Sequence, residues 1–270
     1  MRIGQYDVGE LLGKGEFGKV YKVQNVNTGR IAAMKIATGD DHSTQVQLLR
    51  HEGKMHSTLA GVRGVPQLKD CGKHGDHYYI VIPLLSHTLK DVAAQEDGIS
   101  GEVVLAIMET LLRILKQVHS RGLLHRDISP GNIMFSDEDC SQLVLCDFGF
   151  AMPYRVANQH IPQTSGNELI GTSAYASKPV RSGVRPSRRD DVESLAYTCW
   201  AAWLKGECPW INTEREITQL RELCYADDVV SHAIVDVIVS VRKTAYRQSP
   251  DYDGILSLLR RTRLQLNRAS

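Results

Sequence analysis

Up to about residue 82 the apolar positions fall in short β-prone runs, and after Pro83 they take on helical spacing. Tyr6–Leu12, Gly18–Asn25 and Arg30–Ala37 read as strands, separated by glycines or by Asn27-Thr28-Gly29, a hairpin-turn sequence. Ser43 to Leu59 reads as a helix, with Val46, Leu49 and Leu59 near helical spacing. Gly53 weakens that helix by about 1 kcal/mol relative to alanine. Two more strands are predicted near Gln67–Gly72 and His77–Ile82.

In the second stretch, Ser100 is a good N-cap for a helix whose apolar face carries Val103, Val104, Ile107, Met108, Leu111, Leu112, Leu115 and Val118, closed by Gly122. Asp191–Lys205 is apolar on nearly every side and ends before Gly206 and Pro209, which predicts a core helix. Further helices are predicted near Glu214–Tyr225, His232–Arg242 and Tyr252–Gln265. The expected class is α+β: a small β-rich lobe with one main helix (about 1–82), a connector (about 83–87) and a larger, mostly helical lobe (about 88–270).

Composition narrows the function without naming it. The 270 residues are 42% hydrophobic and 23% charged with a net charge of +1, so no bulk charge points to nucleic acid or a membrane surface. Met1–Val8 contains Arg2 and Asp7 and lacks the apolar region of a signal peptide. The apolar stretches Leu195–Leu204 and Ile234–Val241 are too short to span a bilayer. Six cysteines lie scattered with no C-x-x-C pair, which argues against a zinc site or a disulfide framework and suits reduced thiols in a cytoplasmic or nuclear setting. His51-Glu52 and His56 do not form H-E-x-x-H, because histidines five residues apart on a helix point to different faces.

The chemistry lies in three places. Gly13-Lys14-Gly15-Glu16-Phe17-Gly18-Lys19-Val20 has the spacing G-x-G-x-x-G-x-V between two strands. No helix opens at Gly18, which disfavours a dinucleotide fold. Glycines there let backbone N–H groups approach phosphates, and Phe17 at the tip would shield them from water. Lys35, in Ala33-Met34-Lys35-Ile36, needs an anionic partner if buried, and Glu52 on the following helix is the candidate. His125-Arg126-Asp127-Ile128-Ser129-Pro130-Gly131-Asn132 is followed fifteen residues later by Asp147-Phe148-Gly149. That pair of motifs offers an acid to orient a hydroxyl, then an amide oxygen and a carboxylate able to hold magnesium.

Together these motifs resemble those of eukaryotic protein kinases, nearly end to end. The C-terminal half is most similar to the casein kinase 1 family. Gly171-Thr172-Ser173-Ala174-Tyr175-Ala176-Ser177 matches its G-T-A-R-Y-A-S, and Ser187-Arg188-Arg189-Asp190-Asp191-Val192-Glu193-Ser194-Leu195 matches its S-R-R-D-D-L-E-S-L. Cys208-Pro209-Trp210 and Pro250-Asp251-Tyr252 also follow its pattern.

The resemblance implies a bilobal protein-kinase fold, ATP and Mg2+ as cofactors, and protein substrates with serine or threonine acceptors. Under it, Asp127 is the catalytic base, Asn132 and Asp147 hold the metal, and Lys35 paired with Glu52 binds the α- and β-phosphates. Gly13, Gly15, Phe17, Gly18, Val20, Ala33 and Lys35 line the nucleotide site, with Ile82 as gatekeeper and the Pro83 carbonyl and Leu85 N–H facing adenine. Asp191 anchors the catalytic loop, Thr172 bonds near Asp127, and Cys146 faces the nucleotide. A monomer with no nucleic-acid or membrane partner is expected.

Three departures stand against the pattern. Ser129 replaces the catalytic-loop lysine of serine/threonine kinases, which implies reduced turnover, a different acceptor or a compensating cation. Ala174 replaces the arginine that helps bind a primed substrate, so phospho-priming does not carry over. Lys178-Pro179 stands where most kinases have the Pro-Glu of A-P-E, so the usual glutamate–arginine contact is expected to be missing. Alternatives to an active kinase are a pseudokinase scaffold, suggested by Ser129, and a kinase of small alcohols, faintly suggested by Ser129-Pro130-Gly131-Asn132. Thr164 and Ser165 lie where an activation phosphate could be added.

Overall fold

The computed structural model describes residues 1–15, 18–95, 97–137, 140–210 and 220–269. Two compact units make up the chain, the first formed by Met1–Ser86 with Phe135–Ala151, the second by His87–Met134 with Met152–Ser270.

The first unit is built on a six-stranded antiparallel sheet. Its strands are β1 (Arg2–Ile3), β2 (Tyr6–Gly15), β3 (Gly18–Asn25), β4 (Ile31–Thr38), β5 (Asp70–His74) and β6 (His77–Ile82), in the order β1-β2-β3-β4-β6-β5. β3 and β6 keep the bounds expected from their β-prone runs. β2 runs on past Leu12 because Gly13, Lys14 and Gly15 pair with Val20, Lys19 and Gly18. Cross-strand bonding overrides the low strand propensity of Gly-Lys-Gly. β5 starts later than expected. Gln67 uses its side chain on the preceding loop, bonding Val62 O, Val65 O and the N–H of Gly61, and so closes a turn there.

One sheet face buries Ile3, Tyr6, Val23, Ala32, Met34, Ile36 and Val81. The other receives helix α1 (Thr44–Thr58), whose Val46 and Leu49 pack on Ala37 and Ile80. The buried stripe of α1 continues through Glu52, Gly53, Met55 and His56. Helical periodicity therefore turns one carboxylate and one imidazole inward with the apolar residues.

The second unit is mostly helical. Helix α2 (Leu89–Ala93) opens on a capping box between Thr88 and Asp91. Helix α3 (Gly101–Ser120) is capped by Ser100, whose Oγ accepts the Val103 N–H, and Gly122 beyond its end has φ +82°. Of the expected apolar face of α3, Val104, Ile107, Met108, Leu111, Leu112, Leu115 and Val118 are buried. Val103 is the exception, 47% exposed in the first turn at the edge of the stripe.

After α4 (Lys178–Arg181), helix α5 (Arg188–Trp203) begins three residues earlier than expected, because Ser187 donates its N–H and hydroxyl to Asp190 Oδ2 and caps the first turn. It is buried on nearly all sides and packs against α3 and the helix Val229–Lys243, while α3 also packs against Tyr252–Ala269. The helix expected at Glu214–Tyr225 falls largely outside the described residues.

Candidate functional site

In the first unit, Lys35 sits on β4 opposite Val20 of β3 and Ile80 of β6, and Ala33 sits opposite Ile82. Strand alternation puts these side chains on the face that receives α1. Lys35 Nζ lies 2.8 Å from Glu52 Oε2 and 3.4 Å from both carboxylate oxygens of Asp147. Burial alone would push the Lys35 ammonium down, but the charges of Glu52 and Asp147 outweigh it and leave it above its ordinary value. Burial likewise pushes Glu52 up, and the Lys35 charge with His56 brings it below the usual carboxylate range. Both groups stay charged in a dry setting.

Asp147 is presented by a local turn. Its φ is +60°, a left-handed conformation that aspartate tolerates better than most residues, and its Oδ1 accepts the Gly149 N–H at 3.2 Å. Phe148, which follows Asp147, is fully buried, and Cys146, which precedes it, is buried too. Burial, then the carboxylates of Asp147 and Glu52, push the Cys146 thiol far up, so it stays neutral. His51 Nε2 meets Ala151 O at 2.6 Å, tying α1 to the end of this segment.

Gly13, Gly15 and Gly18 form the hairpin end of β2 and β3, and Phe17, placed by sequence at its tip, lies outside the described residues. Gly18 is required by its surroundings: its φ is +131°, and a Cβ there would stand 2.2 Å from Ile36 O. Gly13 and Gly15 have open space where a Cβ would be. Ile82 ends β6, and Pro83 and Leu85 follow it half-buried.

In the second unit, the segment from His125 to Asn132 is held from several sides. Asp191, on α5, accepts the N–H of His125 at 2.8 Å and that of Arg126 at 3.0 Å, and its Oδ2 lies 2.8 Å from His119 Nε2. His119 Nδ1 meets the Tyr252 hydroxyl at 2.6 Å, and Thr198 donates to Ile128 O. Asp127 uses both oxygens: Oδ1 accepts the N–H and hydroxyl of Thr172 at 2.8 and 2.7 Å, and Oδ2 accepts Asn132 Nδ2 at 2.8 Å. Gly171 makes this approach possible, since with φ +89° a Cβ there would meet Arg126 O at 2.5 Å. Ser129 is buried at the start of the 3-10 turn Pro130–Asn132.

The structure thus brings Lys35, Glu52 and Asp147 together in one unit, and Asp127, Asn132 and Thr172 together in the other. Sequence reasoning missed a further pair. Where the A-P-E glutamate–arginine contact is expected to be missing, a buried Glu193–Arg242 pair at 2.7 Å takes the position beside α4, with Glu193 Oε1 also accepting the Lys178 N–H at 3.1 Å. The family-like segment Asp190-Asp191-Val192-Glu193 held that signal, since an acid flanked by core positions needs a cation.

A sheet with one inward helix carrying a lysine–glutamate–aspartate cluster, and a helical unit holding an acid–amide loop, define a eukaryotic protein kinase. Residues 6–256 match the protein kinase domain family. The chain is also 33% identical over 222 residues to a protein of Encephalitozoon cuniculi (strain GB-M1) described as a probable casein kinase I homolog, a match covering 82% of this chain and 69% of that protein. The chain belongs to the protein kinase family and is casein kinase I-like.

Proposed function

We propose that the chain is a single protein kinase domain over residues 1–270 that transfers the γ-phosphoryl group of ATP, with Mg2+, to serine or threonine hydroxyls of proteins. The observation that carries this reading is the buried Lys35–Glu52 pair at 2.8 Å with Asp147 at 3.4 Å. A structural ion pair needs one carboxylate. A second one, 28% exposed and on a turn of its own, is what a triphosphate site with a cation calls for.

Lys35 would bind the α- and β-phosphates and Glu52 would position it. Gly13, Gly15 and Gly18 would bring backbone N–H groups to the phosphates, with Phe17 over them. Val20, Ala33 and Ile82 would line the base, with the Pro83 carbonyl and Leu85 N–H bonding adenine. Asn132 and Asp147 would each offer an oxygen to magnesium: with Nδ2 bonded to Asp127, the amide oxygen of Asn132 is the atom left for a hard cation, and Asp147 would supply a carboxylate. Bound Mg2+ would neutralise charge on the phosphates. Asp127 would orient the acceptor hydroxyl and take its proton as the new O–P bond forms and the bond between the β- and γ-phosphates breaks. Thr172, bonded to Asp127, would border the acceptor and favour serine or threonine over tyrosine.

Ser129 keeps the pseudokinase reading in play, because no lysine stands at that position. The intact Lys35–Glu52–Asp147 and Asp127–Asn132 sets weigh against it. Protein substrates, a monomeric state and a cytoplasmic or nuclear location belong to the same proposal. No helix among the described residues is long and apolar enough to cross a membrane. The test is transfer of labelled phosphate to a peptide library by wild type, Asp127→Asn, Asp147→Ala and Ser129→Lys. Transfer by wild type that both aspartate variants lose supports the reading. Equal labelling by all proteins, or nucleotide binding with no transfer by any, overturns it.

A further inference from the structure

Helix α1 and the edge strand β5 leave a groove between them. Along α1, Leu49, Gly53 and Ser57 succeed one another at i, i+4 spacing and share one face. Leu49 is buried against Ile80 of β6, and a Cβ on Gly53 would stand 3.5 Å from Ile80 Cγ2. After Leu49 this face carries only a hydrogen and a short hydroxymethyl group, so space opens beside the helix. In the sheet, Cys71 and Lys73 of β5 pair with Ile80 and Tyr78 of β6, and cross-strand partners project to the same face. β5 ends the strand order, so no further strand of that sheet closes the far side. The groove encloses about 290 Å³, at the small end of ligand sites.

Its floor is apolar and its rim is cationic. Leu49, Ile80 and the Tyr78 ring line the floor, while Arg50, Lys54 and Lys73 stand exposed around it, and among the described residues no carboxylate lines it. The Tyr78 ring holds two of the cations in place: Arg50 Cζ lies 5.1 Å and Lys73 Nζ 5.0 Å from its centroid. Asp41 balances part of the charge, accepting the Tyr78 hydroxyl at 2.5 Å and Lys73 Nζ at 3.1 Å. Among the described residues neither Arg50 nor Lys54 makes an ion pair. The rim therefore offers positive charge to a ligand, and the floor offers apolar surface. A nucleic-acid phosphate chain would meet the rim and leave the floor to water. A bilayer is too broad and flat to enter a groove this small. A polypeptide segment can supply carboxylates and an inserted apolar side chain together.

We propose that this groove docks a short acidic segment of a partner protein, which seats one large apolar or aromatic side chain against Ile80 and Tyr78 and sets its carboxylates beside Arg50, Lys54 and Lys73. The groove contains neither Lys35 nor Asp147, so the proposal goes beyond phosphoryl transfer and does not depend on it.

The test selects random short peptides on phage against the wild-type protein and measures the recovered peptides by fluorescence anisotropy. They are compared on wild type, on the double variant Arg50→Glu, Lys54→Glu, and on wild type alkylated with N-ethylmaleimide. Cys71 lines the groove and is the exposed thiol of the six cysteines, so alkylated Cys71→Ser serves as the control. The expected peptides are acidic with an apolar anchor, bind the double variant about tenfold or more weakly, and protect Cys71 from alkylation. Alkylation should block them on wild type and leave them unaffected on Cys71→Ser. That arm needs no charge reversal, so it decides the matter even if the double variant fails to fold. Recovery of no acidic, apolar-anchored peptide overturns the proposal, as do peptides that bind with Cys71 still open to reagent. Vesicles containing phosphatidylserine, or single-stranded RNA, binding through Arg50 and Lys54 where the peptides do not, would assign the groove to a membrane or a nucleic acid and overturn it as well.

Discussion

Thr172 gives two hydrogen bonds to one oxygen of Asp127, from its backbone N–H at 2.8 Å and its hydroxyl at 2.7 Å. The carboxylate is thereby fixed in rotation, with its other oxygen on Asn132 Nδ2. Thr172→Val keeps the shape and the backbone bond but removes the hydroxyl. A hydrogen bond to a charged group is worth about 1.5–3 kcal/mol, so kcat should fall by roughly 10- to 100-fold, with Thr172→Ser close to wild type. Equal kcat in the valine variant and wild type would show that the hydroxyl does not position Asp127.

Asp191 is expected to matter for stability before catalysis. Its carboxylate receives the N–H groups of His125 and Arg126 and the ring of His119, all buried or half-buried. Asp191→Ala removes the buried acceptor that those donors share and should cost about 3–5 kcal/mol, read from denaturant unfolding.

The same residue shapes the acid limb of stability. Burial pushes the Asp191 carboxyl up, but the bond and charge of His119, with His125, bring it below its ordinary value. A depressed folded value means the contribution is present above the unfolded pKa of about 3.9 and is lost as pH falls below it. Asp190, one residue earlier, is shifted upward, burial outweighing its bonds from Ser177 and Ser187, and so acts in the opposite sense. Asp191→Asn should therefore show a flatter loss of melting temperature below about pH 4 than wild type.

Two glycines give opposite expectations for alanine. Gly53 lies inside α1, and a Cβ there would stand 3.5 Å from Ile80 Cγ2, an ordinary contact. Gly53→Ala should stabilise the protein by about 0.4–1 kcal/mol. Gly18→Ala should destabilise it, because its Cβ would meet a backbone carbonyl at 2.2 Å in a conformation that alanine avoids. Urea midpoints of the two variants, moving in opposite directions from wild type, check this.

The Glu193–Arg242 pair is buried at 2.7 Å, and Arg242 also donates to the Tyr197 hydroxyl at 2.7 Å. Arg242→Ala strands the Glu193 carboxylate and should cost about 3–5 kcal/mol in thermal or denaturant unfolding. A loss under 1 kcal/mol would mean that the Lys178 N–H alone satisfies Glu193.

Much of the fold was legible because its signals are local. β-prone runs bounded by glycine set β3 and β6, and Ser100 with its following apolar stripe set α3. The misses come from partners distant in sequence or from side chains turned to local bonding. β2 lengthened because its glycines found β3, β5 shortened because Gln67 bonded a loop, and α5 started early because Ser187 and Asp190 capped it. In the site, the spacing of Lys35, Asp127, Asn132 and Asp147 pointed to chemistry before any geometry, and Glu52 was the anion that the lysine required.

The chain's order of residues was enough to determine its class, its run of strands followed by helices, and the spacing of the motifs that point to a kinase, since periodicity and motif spacing are one-dimensional properties. Only the tertiary structure decided that Lys35 meets both Glu52 and Asp147, that Asp191 carries three donors, and that Glu193 pairs with Arg242. The physical reason is that the charge and strength of an ionisable group depend on its burial and on neighbours brought in from elsewhere in the chain, and those exist only once the chain has folded.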